Sequence, residues 1–233
     1  MTITVISKNV AYTLTTPNLA PYKRQWMVLE LAVTTALLVL GLATQNSARG
    51  RIILVGAIWL VLSTCLYFHI YKPSKESLGL VWKNSDRTLG LILPSLCLVA
   101  IIGLTGQTME FLGVRDIERE PRFPERQLGY VGGALFQQLL FHWYYFFRLE
   151  KLCVSPERAS RWTAVAFCLA HLPNPLLMAL TFLAGWFFSW MFRKHRNLYT
   201  LILCHGLLGA ALAAYWPHWV MLVGKGFWNY MFN

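Results

Sequence analysis

The chain has 233 residues, 56% of them hydrophobic and 13% charged, with a mean hydropathy of +0.46 and a formal net charge of +11. A chain this apolar has too little polar surface to cover a water-soluble domain of its length, so it reads as a polytopic membrane protein. The positive charge does not imply nucleic acid, because the Lys and Arg residues sit in short loops between apolar runs, as membrane topology requires.

Residues 1–25 are a polar, Thr-rich arm ending in Lys23 and Arg24, with no apolar core of a signal peptide. Apolar segments follow at 26–44, 52–71, 89–105, 130–147, 162–172, 176–192, 198–215 and 219–232. Glu30 lies one turn inside the first, most simply at the interface. Pro94 is expected to kink the third. A full crossing needs roughly 20 residues. The segments 162–172 and 219–232 fall short of that, and are read as tilted, partial or buried among other helices. The expected fold is all-α and polytopic, with about eight transmembrane helices in one domain, 26–233, behind the arm 1–25.

The loops suggest orientation. With the N-terminus inside, the inner segments hold three, four, four and three Lys/Arg, and the outer loops hold two and four. The outer four share residues 106–129 with five acids, Glu110, Asp116, Glu118, Glu120 and Glu125. Both termini are therefore expected to be cytoplasmic. That loop reads as a charged platform or simply a solvated connection. The five cysteines follow no framework spacing, and four lie in apolar runs, so they read as small packing residues. The aromatic run Trp143–Phe147 reads as an interfacial belt or a face for a partner helix or pigment. Gly224 and Gly226 in the last segment permit close helix approach.

The apolar run 132–148 is the most informative stretch, because Gln137, Gln138 and His142 lie within it. Polar groups at that depth are expensive and are usually functional or paired across helices. Two later segments carry one histidine each, His171 and His205. Residues four apart share a helical face, which stacks Gln138 on His142, Phe167 on His171 and His205 on Gly209.

These residues resemble, in order and spacing, the CAAX-protease and bacteriocin-processing family of intramembrane proteases (CPBP, also called ABI). That family has a Glu-Glu-x-x-x-Arg helix, then Phe-x-x-x-His, then a His followed four residues on by Asn or another residue. This chain has Gln137-Gln138-Leu-Leu-Phe-His142, Phe167-Cys-Leu-Ala-His171 and His205-Gly-Leu-Leu-Gly209. The flanks also fit: Leu78-Gly79-Leu80 before the third span, and a Gly185 helix followed by a basic turn and Asn197-Leu198. The resemblance covers roughly residues 75–215.

The resemblance implies a site in which the first Glu is a base that activates water, and His and Asn groups stabilise the oxyanion. Gln137 and Gln138 cannot accept a proton, and a positioned base is worth on the order of 10²–10⁴ in rate. His142 stands where the family has Arg, so the Arg and its partner acid are absent together, which leaves no unpaired buried charge. The motif is read as degenerate. The expected function is then to bind, stabilise or regulate another integral membrane protein within the lipid bilayer, without a cofactor. An active endopeptidase using His142, His171 and His205 is the alternative. In it, His142 replaces the lost base, or the three imidazoles hold zinc with Cys168 or Cys204 as a fourth ligand. A transporter or channel is a third reading, which the lack of paired intramembrane charges discourages.

Overall fold

The computed structural model describes the chain except residues 1, 8–9, 16–20, 45, 81–84, 114–122 and 233, and except the side chains at 2–7, 10–15, 21–22, 46–47, 85–89, 91 and 123–128. Most of the charged platform, with Asp116, Glu118 and Glu120, lies outside the described residues, as does the Glu125 side chain. The polar arm contains an antiparallel hairpin, β1 (Thr2–Ser7) and β2 (Val10–Thr15), with Thr2 opposite Thr15. The first helix begins within the arm, at Pro21.

The rest of the chain is helical: α1 (Pro21–Ala43), α2 (Asn46–Tyr71), α3 (Ser85–Phe111), α4 (Phe123–Gln138), α5 (Phe147–Leu152), α6 (Pro156–Leu169), α7 (Pro175–His195), α8 (Leu198–Tyr215) and α9 (Lys225–Phe232). Between α4 and α5 the chain stays helical but winds as a π-helix over Leu139–Phe146, so 123–152 is one continuous rod. Among the described residues, five helices are long and apolar enough to cross a membrane: Lys23–Ala43, Ala48–Tyr71, Ile92–Phe111, Pro175–His195 and Leu198–Tyr215. This all-α, multi-pass architecture agrees with the sequence reading.

Two expectations are corrected. The segment 162–172 belongs to a helix that starts earlier, because Ser155 accepts from the Arg158 amide as N-cap and Pro156 follows it. The segment 219–232 is not one helix. A 3₁₀ turn (His218–Met221) and α9 are separated at Gly224, which has a φ of +58°. A Cβ there would lie 2.4 Å from the Leu42 carbonyl oxygen, so only glycine lets this corner close. α3 runs through Pro94 without interruption.

Helices α1 and α2 pair, α6 pairs with α7, and α8 packs against both α3 and α4. The Leu78-Gly79-Leu80 stretch fixes where α8 begins. Gly79 has a φ of +71°, its carbonyl accepts from the Leu198 amide at 3.0 Å, and Leu80 bridges to Asn197. Asn197 in turn caps α8 by accepting from the Thr200 amide. The central core is aromatic, with Phe146, Phe147, Phe188 and Phe192 buried between the rod and α7. All five cysteines are free thiols.

The largest departure is an ion pair inside the bundle. Glu30 is not at the interface: it is 2% exposed and meets Arg148, which is fully buried, at 2.7 Å. Arg148 Nη1 donates to the Tyr144 carbonyl, close to where π winding returns to α, and Nη2 donates to the carbonyl and hydroxyl of Ser63. The Ser63 hydroxyl donates to the other Glu30 oxygen at 2.7 Å. The guanidinium lies 3.8 Å from the Tyr144 ring centroid and 4.7 Å from that of Tyr67. A buried pair is tolerable only when its remaining hydrogen-bonding capacity is filled, and here it is. The bundle therefore holds a paired intramembrane charge, which the sequence reading takes to be lacking when it discounts a transporter or channel.

Candidate functional site

The site is assembled where the rod, α6, α7 and α8 meet. Gln137 and Gln138 end α4, just before the π-helix. Phe167 and Cys168 lie in the last turn of α6, and His171 in the turn after it. His205 is near the middle of α8, whose close approach to the rod is permitted by Gly206, packed against Val131 and Ala134. Gly185 draws α7 onto α6: a Cβ there would lie 2.8 Å from Phe167 and 3.1 Å from the Ala164 backbone.

The π winding changes the expected pairings. In a π-helix the bonds run i→i+5, so residues four apart no longer stack as in an α-helix. Gln138 does not pair with His142. It crosses to α8 instead, where its side-chain amide donates to His205 Nδ1 at 3.1 Å. His142 points to α7, with Nε2 3.4 Å from the Ser189 hydroxyl and its ring 5.3 Å from Phe192.

Phe167 packs against the two remaining imidazoles, its ring 5.0 Å from His171 and 5.4 Å from His205, both edge-on. Its other neighbour is Phe141, at 4.9 Å. Backbone and amide contacts set the tautomers. His171 Nδ1 is 2.8 Å from the Phe167 carbonyl, which only accepts, so His171 carries its proton on Nδ1. His205 Nδ1 accepts from Gln138, so its proton is on Nε2. The two rings therefore present unlike Nε2 atoms, a bare nitrogen on His171 and an N–H on His205.

Gln137, His171, His205 and Gly209 all line one cavity of about 520 Å³, whose walls are otherwise mostly apolar and come from α4, α6, α7 and α8. Met221 and Val223 close one side of it. Among the described residues, no Asp or Glu lines it. The side-chain oxygens of Gln137 and Gln138 are buried and have no hydrogen-bond partner, and the same holds for His142 Nδ1. Gln138 and His142 do not line the cavity; they pack with Gln137, Phe141 and His205, where no water-sized space remains. The structure thus gathers Gln137, His171, His205 and Gly209 at one surface, holds Gln138 just beneath it, and turns His142 away.

The three imidazoles do not form a ligand set. Phe167 contacts both His171 and His205, His142 faces Ser189, and among the described residues no group of three His, Cys, Asp or Glu side chains is gathered closely enough to hold a metal ion. The donor set that zinc requires is therefore not assembled by these residues.

The Glu30–Arg148 network was not among the sequence candidates. The signal available was two ionisable residues, each within or at the edge of an apolar segment, and such residues usually pair.

No curated protein and no solved structure matches the chain. Residues 127–211, which contain all three motifs, match the family described as type II CAAX prenyl endopeptidase Rce1-like, and over that segment the chain is similar to that family.

Proposed function

We propose that this protein is a catalytically degenerate relative of the CAAX proteases that binds, and thereby stabilises or regulates, another integral membrane protein. One observation carries the reading. The cavity is lined by both histidines of the resemblance, yet Gln137 stands where the resemblance would place the base, and no carboxylate among the described residues lines the wall. A neutral amide takes no proton from water, so the step that a positioned base accelerates by about 10²–10⁴ is unsupported. Gly209, where the family can have Asn, provides no side-chain donor for an oxyanion.

Partner binding draws support from the outside of the bundle. Trp162, Trp186 and Trp228 are each about half exposed, and Leu183, Trp186, Phe187 and Trp190 line an open groove on α7. Large aromatic side chains are the residues that anchor interfaces. The partner we infer is a membrane protein, because these residues lie on or beside span-length helices. Both termini are cytoplasmic in this reading. Cysteines introduced at Ser47 and Lys83 are expected to label from opposite sides of the membrane.

A second reading, slow hydrolysis with His171 as base, rests on the bare Nε2 that its bond to Phe167 leaves at the cavity. His142 does not take that role, since it lies outside the cavity lining.

The test is turnover of transmembrane and prenylated C-terminal peptides by the purified full chain, together with mass spectrometry of what copurifies in mild detergent. The expected result is no turnover in wild type or in Gln137→Glu, and a stoichiometric membrane partner. Wild-type cleavage that His171→Ala abolishes rejects the proposal.

A further inference from the structure

The α1–α2 hairpin carries a second cavity, an apolar groove of about 350 Å³ open along the bundle surface. Its walls are leucines and isoleucines of both helices, and its floor is Phe136 and Leu140 of the central rod. Gly41 and Gly56 leave it open: a Cβ on Gly56 would meet nothing within 4 Å. One end is marked by Arg49, the other by Thr34 and Trp59.

Its dimensions follow from the helix. Arg49 and Trp59 are ten residues apart on α2, which is about 15 Å at 1.5 Å per residue. The hydrocarbon core of a bilayer is about 30 Å thick, so the groove is one leaflet deep. Both walls are span-length helices with few buried residues, which face lipid rather than protein. Water does not suit it. The polar groups at its inner end are already engaged, with Trp59 Nε1 donating to the Thr34 hydroxyl at 3.0 Å and that hydroxyl 2.7 Å from the Tyr144 hydroxyl. A buried water needs two to four free polar partners.

The charge lies at one end only. Residues 46–51 contain Arg49 and Arg51 and no acid, and among the described residues Arg49 has no ion-pair partner. Its level along α2 is that of a headgroup, and arginine pairs with a phosphate through two parallel hydrogen bonds. We propose that this groove is a lipid site: it holds one acyl chain of an anionic glycerophospholipid, whose phosphate pairs with Arg49. The rod residues that floor it, Phe136 and Leu140, do not line the 520 Å³ cavity, and the two share no lining residue.

The experiment uses the full chain in mild detergent, equilibrated with phosphatidylglycerol and phosphatidylcholine of identical acyl chains. Native mass spectrometry reads the lipid retained. Wild type is expected to keep one tightly held lipid and to prefer phosphatidylglycerol by about fivefold, the size of effect expected of one arginine near a membrane surface. Arg49→Gln is expected to bring that preference to about one while still retaining lipid. Gly56→Leu fills the groove and is expected to displace both lipids. Leucine is a better helix former than glycine, so the helix itself is not weakened. Ala57→Leu, on the same wall, serves as the second filling variant. Equal retention of the two lipids by wild type overturns the proposal, as does a preference that survives Arg49→Gln. So does a copurifying protein that Gly56→Leu expels, which would make the groove a docking face for a helix.

Discussion

The central rod carries two polar clusters that solve the same problem in opposite ways. At Arg148 the cluster is charged and closed: both Glu30 oxygens are bonded, and the guanidinium reaches one carboxylate, two carbonyls and a hydroxyl. At Gln137 and Gln138 the cluster is neutral and open: two amide oxygens and one imidazole nitrogen are buried without a partner beside an apolar cavity. The first arrangement spends its polarity on joining α1 and α2 to the rod. The second leaves hydrogen-bonding capacity unfilled behind the cavity wall. Charge sits where the bundle is joined, and is absent where the family resemblance would place a base.

Breaking the charged cluster is expected to have the largest effect. Arg148→Met leaves Glu30 buried and unpaired, which costs about 3–5 kcal/mol. Unfolding in detergent, followed by circular dichroism, reads it. The double variant Glu30→Met with Arg148→Met is expected to lose far less than the sum of the two single variants, because the pair acts as a unit. Simple additivity would mean that the pair is not the joint described here.

Gly185→Ala comes next. The new methyl would meet the Phe167 ring and the Ala164 backbone, so α6 and α7 must part, at about 1–3 kcal/mol. Because Phe167 contacts both His171 and His205, the same variant is expected to change the accessibility of the cavity to a thiol probe at Gly209→Cys. A stability loss without any change in labelling would show that Phe167 does not shape the cavity.

Gln138→Met sharpens the contrast. The amide loses one hydrogen bond to His205, but its unpartnered oxygen goes with it. The net change is expected to stay within about 1 kcal/mol, well below that of Arg148→Met. A loss comparable to that of Arg148→Met would mean that the neutral cluster is a structural joint after all.

The smallest effect is expected at the surface pair of Glu157 and Arg193. Partial burial pushes the Glu157 carboxyl upward, but a bond from its own backbone amide and the Arg193 guanidinium outweigh this and hold it below the usual carboxylate value. Its contribution is therefore present above the unfolded carboxylate pKa and is lost as pH falls through the lower folded value. Glu157→Gln is expected to cost under about 1 kcal/mol and to flatten that part of the acid limb.

Much of this protein is decided by local chemistry and is legible in the chain. Apolar runs of span length, capped by Asn197 before α8 and Asn174 before α7, specify the helices. Phe167, His171 and His205 lie within the segment that matches the family model, and Gln137 and Gln138 put two neutral amides where the resemblance would place acids. Tertiary structure decided the partners. Glu30 and Arg148 are 118 residues apart, and no periodicity links them; only the docking of α1 and α2 on the rod makes two isolated ions into one satisfied pair. The π winding at Leu139–Phe146 is equally invisible in the residues, since their apolar pattern suits an α-helix as well. With it the Gln138 side chain pairs with His205 and the His142 side chain reaches Ser189, because face-sharing along a helix depends on the winding, and the winding depends on what the rod packs against.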